Sequence, residues 1–439
     1  MLIEKMTNSL KNELQMMYEN KKYLNKDLFT VCPECRKKII ESIVDSIYYN
    51  IENNCNKCKE LQQDLRDNVI KFFENIGPTK QELEKYFESN INKRSLLALM
   101  DGIYTIGPNI PFVYPQTCSF ELTNRCNLRC KHCYIGEPPK TKELSTNNVL
   151  KIIGNIADAG FLAVPISGGE ALLRDDITPI LKEVKNYNMD VILSTNGTLL
   201  TKNKINELKS YLDIVCISLD SHNETIHDSF RGVKDAHKLA LMGVKNCIDN
   251  DIPVRIFTTL TKFNYDKLPE FINFLEENKI EHVVFFDLNL VGRGTTEGNN
   301  YQLTIDELNR AIDTITNLNN QKNINVDVLA PLPFFIDQNL INKQTILSGG
   351  FCNAGISTCN ISPEGIIQPC SRLRLNLGNA LTDSIRDIWR DSPVLKDIRD
   401  RDKLKGQCGK CEYKIACGGC RANAYSYHND YLHEDVRCI

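Results

Sequence analysis

The chain has 439 residues, which is enough for several compact domains and a large hydrophobic core and which excludes a small disulfide-stapled fold. Its 53 Lys and Arg against 56 Asp and Glu leave a net charge of -3, so a globally basic nucleic-acid binder is excluded. No segment reaches the roughly 18 apolar residues of a membrane span, and the first residues lack a secretory signal. We therefore expect a soluble cytoplasmic protein with no nucleic-acid and no membrane partner.

Cysteine is the unusual residue, because 18 cysteines in short C-x(n)-C groups suit metals better than disulfides in a chain without an export signal. The N-terminal region, residues 1–110, carries two C-x2-C pairs separated by 19 residues: Cys32, Cys35, Cys55 and Cys58. Four thiolates at this spacing predict a closed tetrahedral site, with zinc favoured over iron. The charged, helix-patterned residues that follow predict a helical brace, with a peptide-binding module as the alternative.

Residues 111–300 alternate short β-branched runs with amphipathic helical patterns. The predicted strands are Thr117–Leu122, Val164–Ser167, Asp190–Ser194, Ile214–Leu219, Val254–Leu260 and His282–Phe286. This repetition implies right-handed parallel crossovers and an α/β fold, and six strands favour a partial (β/α)6 TIM-like barrel over a closed one. Active sites of such folds gather at the carboxyl ends of the strands. Residues 301–345 are predicted to be a connecting helical segment.

Three cysteines follow the first predicted strand as Cys126-x3-Cys130-x2-Cys133. Three thiolates leave one iron of a four-iron cluster without a protein ligand, whereas a structural zinc site normally has four. Such an iron can bind a small molecule directly, which a catalytic cluster needs. The alternative is a structural zinc site that His132 or a distant cysteine completes.

This loop, with Tyr134 after it and Gly168-Gly169-Glu170 after the second strand, resembles the radical S-adenosylmethionine (SAM) superfamily. The resemblance implies that the Gly-Gly-Glu segment binds the SAM amino group. It also implies that the adenine, ribose and carboxylate of SAM lie against Tyr134, Ser194, Asn196, Ser218 and Arg231. A reductant such as flavodoxin or ferredoxin would supply the electron that cleaves SAM to a 5′-deoxyadenosyl radical, and this radical would take hydrogen from a substrate.

Residues 346–439 carry eight further cysteines: Cys352, Cys359, Cys370, Cys408, Cys411, Cys417, Cys420 and Cys438. Eight thiolates would satisfy two complete four-iron clusters, with zinc as the alternative. The segment resembles the SPASM auxiliary-cluster extension in Cys352-x12-Gly365-x4-Cys370, in Leu377-Gly-Asn379 and in the helical Ile385–Trp389.

The SPASM resemblance implies three 4Fe–4S clusters in all. It assigns one auxiliary cluster to Cys352, Cys359, Cys370 and Cys420, and the other to Cys408, Cys411, Cys417 and Cys438. The spacing Cys417-Gly-Gly-Cys420 is one residue shorter than the common pattern and is similar to radical SAM enzymes of the alternative haem and haem d1 pathways.

These features favour a radical SAM/SPASM oxidoreductase, a maturase that oxidatively modifies a peptide or protein. The alternatives are an enzyme acting on porphyrin side chains and a non-catalytic iron–sulfur electron-transfer protein. Ser371 stands where some relatives carry an aspartate base directly after a cluster cysteine, so no catalytic base is predicted.

Overall fold

The computed structural model describes residues 116–136, 143–296, 300–319, 324–329, 352–411, 414 and 417–437. The predicted N-terminal metal site and helical region lie outside these residues, as does Cys438.

The six predicted strands are all present in a parallel sheet. They are β1 Thr117–Glu121, β2 Ala163–Ser167, β3 Asp190–Thr195, β4 Ile214–Ser218, β5 Val254–Leu260 and β6 His282–Asp287. Each strand pairs in parallel with the next one along the chain. Every boundary lies within one residue of its prediction, because a short β-branched run is a local signal for a strand. The α/β fold class is confirmed.

The sheet extends past these strands on both sides. A seventh strand, β7 Asn325–Leu329, pairs in parallel with β6. On the other side β8 Thr358–Ile361 pairs in parallel with β1, and β9 Ile366–Gln368 and β10 Gly378–Asn379 follow antiparallel. The order is β10-β9-β8-β1-β2-β3-β4-β5-β6-β7. The segment predicted as a connection and the C-terminal cysteine segment therefore both contribute strands, which pair backbone groups that the edges of β1 and β6 would otherwise expose.

Seven helices, within the ranges described, accompany the parallel strands. They are α1 Thr146–Asp158, α2 Ile177–Asn186, α3 Lys202–Leu208, α4 Glu224–Arg231, α5 Ala236–Ile248, α6 Leu268–Glu277 and α7 Ile305–Asn319. The apolar stripe of α1, which consists of Val149, Ile152, Ile153 and Ile156, is fully buried, and Ser145 caps the helix by accepting from the Asn148 N–H. Each such buried aliphatic side chain stabilises the fold by about 1.5–3 kcal/mol.

The C-terminal segment has shorter helices: α8 Ile385–Asp391, α9 Pro393–Arg399, α10 Gly406–Lys410 and α11 Arg421–His428. Their small hydrophobic cluster contains Leu373, Ile398 and Ala422, and Cys370 and Cys420 pack against it. Cysteines thus lie beside the apolar core of this segment. No helix in the described ranges combines the length and hydropathy needed to cross a membrane.

Candidate active site and cluster-binding residues

A cavity of about 400 Å³ lies where the parallel strands end. Five strands, β2 to β6, each place a residue near their carboxyl end on its wall, namely Ser167, Thr195, Ser218, Thr259 and Asp287. Parallel strands bring their following loops to one edge of a sheet, which is why these side chains meet. The position agrees with the one expected from the strand–helix repeat.

Cys126, Cys130 and Cys133 all line this cavity. The Leu128 N–H donates to Cys126 Sγ at 3.4 Å, and Arg231 Nη1 lies 3.8 Å from Cys130 Sγ. Burial raises the pKa of Cys126 to about 11 and also raises that of Cys130, which Arg231 partly counteracts. Three soft donors in one cavity fit an iron–sulfur cluster, and cluster binding would replace the thiol protons that burial retains.

Gly168 and Gly169 hold the loop after β2 against the cysteine loop. The Gly169 N–H donates to Thr123 O at 2.7 Å, and the next N–H, that of Glu170, donates to Arg125 O at 2.8 Å. A Cβ on Gly168, whose φ is +138°, would lie 2.5 Å from Thr123 O, and one on Gly169 would lie 2.2 Å from Arg125 O. Only glycine permits this approach of two backbones.

The side chain of Glu170 lies behind the cavity wall. Its Oε1 accepts from Thr195 Oγ1 at 2.8 Å and from the Leu172 N–H at 3.2 Å, and its Oε2 accepts from the Asn196 N–H at 2.8 Å. The side chain is buried, and Glu170 is not among the residues that line the cavity. The reason is local: the chain turns into a 3₁₀ helix at Ala171–Leu173, and Glu170 caps it. Its carboxylate therefore positions the end of β3.

The remaining residues predicted to contact SAM all line the cavity: Tyr134, Ser194, Asn196, Ser218 and Arg231. Asn196 Nδ2 donates to Asn127 Oδ1 at 2.8 Å, which joins the end of β3 to the cysteine loop. Arg231 Nε donates to Asp220 Oδ2 at 2.6 Å. Burial opposes the charge on Arg231, but Asp220 and Cys130 raise its pKa, so a permanent cation lies beside the cysteines.

Glu121, at the end of β1, is a residue that the sequence analysis missed. It is fully buried, its carboxylate shares a hydrogen bond with Tyr134, and it accepts from Arg374 Nη2 at 3.0 Å. Burial raises the pKa of Glu121 to about 7 against the opposing effect of Arg374. The Arg374 guanidinium also lies 5.6 Å from the centre of the Tyr134 ring. A charged residue directly after the buried Phe120, at the end of a strand that has no other charge, is the sequence signal that could have identified it.

Three further residues on the cavity wall carry unpaired polar atoms. Among the residues described, Asn124 Oδ1, His132 Nδ1 and Asn289 Oδ1 are buried and have no hydrogen-bond partner. His132 stacks on Phe230 at 4.3 Å, and burial lowers its pKa to about 3, so the imidazole is neutral. An unsatisfied buried group costs about 1–3 kcal/mol. A polar ligand such as SAM, with amino, carboxylate and ribose groups, fits this wall.

A second group of cysteines lies in the C-terminal segment. Burial raises the pKa of Cys370, and Cys352 raises it further. Burial also raises the pKa of Cys420, with additional contributions from Asp435, Cys352 and Cys370. The Leu373 N–H donates to Cys370 Sγ at 3.2 Å, a contact typical of cluster thiolates. Cys352 thus lies near enough to Cys370 and Cys420 to influence the pKa of both, and the assignment of these three residues to one auxiliary cluster stays a prediction.

Two buried arginines, Arg401 and Arg421, lie near Cys408 and Cys417. Arg421 Nη2 lies 3.5 Å from Cys408 Sγ, and the Gly419 N–H donates to Cys417 Sγ at 3.4 Å. Burial lowers the pKa of Arg401, while Cys352, Cys417 and Cys408 act to raise it. Buried cations need anionic partners, and thiolates bound to a metal cluster would supply them.

Cys359 does not follow the assignment carried over from the SPASM pattern. Its Sγ lies 3.3 Å from that of Cys118, and both residues are buried. The register of β1 with β8 pairs Cys118 with Cys359 directly. Side chains alternate along a strand, so the position of Cys359 in β8 directs it to the sheet face that Cys118 occupies. The expected place of Cys359 beside Cys352, Cys370 and Cys420 is therefore not supported.

Comparisons with known proteins agree with this geometry. The family model of the radical SAM superfamily matches residues 120–275, and a model described as an iron-sulfur cluster-binding domain, SPASM, matches residues 352–412.

Curated relatives cover most of the chain. An AdoMet-dependent heme synthase from Methanosarcina barkeri is 31% identical over 340 residues, which are 74% of this chain and 96% of the relative. The antilisterial bacteriocin subtilosin biosynthesis protein AlbA from Bacillus subtilis is 28% identical and matches 74% of this chain and 72% of the relative.

Among solved structures, Streptococcus suis SuiB bound to S-adenosylmethionine matches with a TM-score of 0.63 and 21% identity, over 92% of this chain and 87% of that chain. At this identity the likeness concerns the fold.

Proposed function

This chain belongs to the radical SAM superfamily and carries a SPASM domain, and we propose that it is a maturase that oxidatively modifies a peptide or protein. The observation that carries the catalytic part of the proposal is the meeting of Cys126, Cys130 and Cys133 with the Gly168-Gly169 loop at one cavity. The domains imply SAM and 4Fe–4S clusters as cofactors. We infer three clusters, and zinc or iron at the N-terminal four-cysteine site.

A reduced cluster held by these three cysteines would supply the electron that cleaves bound SAM and so generates the radical that takes hydrogen from the substrate. The residues of this chain do the rest. Arg231 keeps a positive charge beside Cys130, and Asn196 connects β3 to the cysteine loop. The neutral His132 and the ends of the strands form part of the cavity wall and shape the space in which the radical would meet its substrate.

The C-terminal segment supports an oxidative outcome. Ser371 and Arg372 line the cavity and follow Cys370 directly in the chain. An auxiliary cluster at Cys352, Cys370 and Cys420 would therefore lie next to the site of hydrogen abstraction, where it could accept the electron left on the substrate. Oxidation without added oxygen needs such an acceptor.

The peptide assignment is supported by the relatives. Relatives named for peptide modification include AlbA and a PqqA peptide cyclase from Bradyrhizobium diazoefficiens, 27% identical over 74% of this chain. The predicted N-terminal four-cysteine region adds a module that a minimal haem-pathway enzyme would not need.

A tetrapyrrole substrate is the second candidate. It is favoured by the M. barkeri relatives, one named AdoMet-dependent heme synthase and one named Fe-coproporphyrin III synthase. Arg372 on the cavity wall, 5.7 Å from the centre of the Phe286 ring, could bind a carboxylate side chain.

The proposed SAM cleavage is tested by anaerobic reconstitution, reduction with dithionite, and measurement of 5′-deoxyadenosine. The wild-type protein should form it, and the variant Cys126→Ala, Cys130→Ala, Cys133→Ala should not. Cys247→Ala, which removes a buried cysteine of α5, is the matched control and should retain activity. Normal product from the triple variant would overturn the proposal.

The substrate is tested by offering two classes to the active enzyme. The first is a small peptide encoded beside the gene, which should lose two hydrogens. Mass spectrometry should detect this loss, and the amount of modified peptide should rise with the amount of 5′-deoxyadenosine. Modification of iron coproporphyrin without modification of the peptide would replace the peptide proposal by the tetrapyrrole one.

A further inference from the structure

A cluster of two histidines and a glutamate lies at the end of α11, outside every set of cysteines considered above. The helix ends at His428, and Asn429 then adopts a left-handed conformation with φ of 53°. This reversal brings His433 and Glu434 back against His428. One nitrogen or oxygen atom from each of the three residues lies within 4.8 Å of the others. The centres of the two imidazole rings are 3.7 Å apart.

The two imidazoles each have an unsatisfied nitrogen. Within the part of the chain that is described, His428 Nε2 and His433 Nδ1 are shielded from solvent and have no hydrogen-bond partner. Leaving such a group unpaired costs about 1–3 kcal/mol, and two of them adjacent to each other are rarely tolerated without a reason. A metal ion is one partner that could satisfy an unpaired imidazole nitrogen.

The turn that holds these side chains is anchored from outside the cluster. Lys405 Nζ donates to Asp430 Oδ2 at 2.7 Å, and the Lys405 N–H donates to Leu432 O at 2.8 Å. The Gln407 N–H donates to Glu434 Oε2 at 2.6 Å, which leaves the other carboxylate oxygen available to a cation. The cluster is therefore assembled by contacts that do not depend on a metal.

We propose that His428, His433 and Glu434 bind one divalent metal ion, either Zn²⁺ or one of its transition-metal neighbours. Two imidazoles and one carboxylate are ligands that Zn²⁺ and its neighbours prefer, whereas Mg²⁺ and Ca²⁺ prefer oxygen alone. Water would complete the coordination. Metal–ligand distances of about 2.0–2.2 Å require the turn at residues 429–434 to close slightly around the ion.

This ion would stiffen the surroundings of two cluster cysteines. Gln407, which contacts Glu434, directly precedes Cys408. Asp435, which directly follows Glu434, donates its N–H to Cys408 Sγ at 3.3 Å and accepts from the Cys420 N–H at 2.7 Å. A metal ion that holds the turn at residues 429–434 would thus also hold Asp435 in place for its hydrogen bonds with Cys408 and Cys420.

The test is Co²⁺ titration of the full-length, cluster-loaded protein after removal of loosely bound divalent metal with a mild chelator. The absorption difference between wild type and the double variant His428→Ala, His433→Ala isolates the proposed site. We expect the variant to bind one equivalent of Co²⁺ less. The lost signal should contain ligand-field bands without thiolate-to-cobalt charge transfer, which separates it from any cysteine site.

Two more variants make the result specific. Glu434→Gln retains an acceptor for the Gln407 N–H but weakens the ligand, so the affinity of this site for Co²⁺ should fall about tenfold or more. His222→Ala removes a histidine remote from the cluster in sequence and should bind Co²⁺ as wild type does. Unchanged Co²⁺ binding by the double variant, with its iron content and melting temperature preserved, would overturn the proposal. So would a lost signal that carries thiolate charge transfer.

Discussion

Arg374 donates from Nη2 to both carboxylate oxygens of Glu121, at 3.0 Å to Oε2 and 3.4 Å to Oε1, across 253 positions of the chain. Glu121 ends the first strand of the core, and Arg374 follows Cys370 of the C-terminal segment by four residues. Tyr134, directly after the cysteine loop, shares the same carboxylate. The buried carboxylate of Glu121 therefore connects the cysteine loop at the cavity to the segment that follows Cys370.

Glu121 should make stability depend on pH. Its pKa rises from 4.5 to about 7 on folding, so the folded state binds this proton more tightly than the unfolded state. The associated stability is fully present below pH 4.5 and is lost as pH rises through about 7. We expect stability to fall by on the order of 3 kcal/mol over this range, and Glu121→Gln should abolish this pH dependence by fixing the neutral form. Urea midpoints measured anaerobically between pH 5 and 8 check this.

Glu281→Gln, at an exposed position before β6, is the control for loss of a carboxylate. If Glu121→Gln and Glu281→Gln gave the same pH profile as the wild type, the buried carboxylate would have no such role.

Gly169→Ala should disrupt the contact between the Gly-Gly loop and the cysteine loop. The added Cβ would lie 2.2 Å from Arg125 O, a backbone atom that cannot move without displacing the loop. We expect a loss of about 1–3 kcal/mol in the free energy of unfolding, together with loss of 5′-deoxyadenosine formation.

Gly154→Ala on α1 is the matched control. Its Cβ would lie 3.0 Å from the Tyr187 hydroxyl, the mobile end of a side chain. Alanine is the better helix former, so stability should be unchanged or higher by up to about 1 kcal/mol. Thermal melts of Gly169→Ala and Gly154→Ala test this prediction. Equal changes in melting temperature would show that the close backbone approach at Gly169 does not contribute to stability.

Iron content should separate Cys359 from the other C-terminal cysteines. Cys370→Ala and Cys420→Ala remove members of one group and should each lower the iron content by up to about four atoms per chain. Cys359→Ala removes a thiol that lies against Cys118 and should leave iron content unchanged. Iron analysis and electron paramagnetic resonance of the reduced proteins provide the measurement. A loss of iron in Cys359→Ala equal to that in Cys370→Ala would restore the assignment taken from the SPASM pattern.

Arg437 and Asp287 form a second buried connection between the C-terminal segment and the core. Arg437 donates from Nε to Asp287 Oδ2 at 2.8 Å and from Nη2 to Oδ1 at 3.1 Å. Arg437→Met should cost about 3–5 kcal/mol, because it leaves a buried carboxylate on the cavity wall unpaired. The double variant Arg437→Met, Asp287→Leu should recover a large part of this loss. Denaturation of the wild type, both single variants and the double variant gives the four free energies of unfolding. If the losses in the two single variants simply added up in the double variant, a direct interaction would be contradicted.

The sequence alone determined the parallel α/β core and the position of its site. Short β-branched runs and helical stripes depend on local periodicity, so each of the six predicted strands was located to within one residue. The spacing of Cys126, Cys130 and Cys133, and the two glycines after β2, likewise depend on neighbours in the chain. These local patterns sufficed to place the cavity at the strand ends.

Only the tertiary structure decided the roles of Glu170, Cys359 and Glu121. Glu170 contacts Thr195 and Asn196 because β2 and β3 are neighbours in the sheet. Cys359 meets Cys118 because β8 joins the sheet beside β1, which no local pattern indicates. Glu121 acquires its raised pKa from complete burial, and its partner Arg374 comes from the far end of the chain. Long-range pairing and desolvation are properties of the folded arrangement, and residue spacing does not encode them.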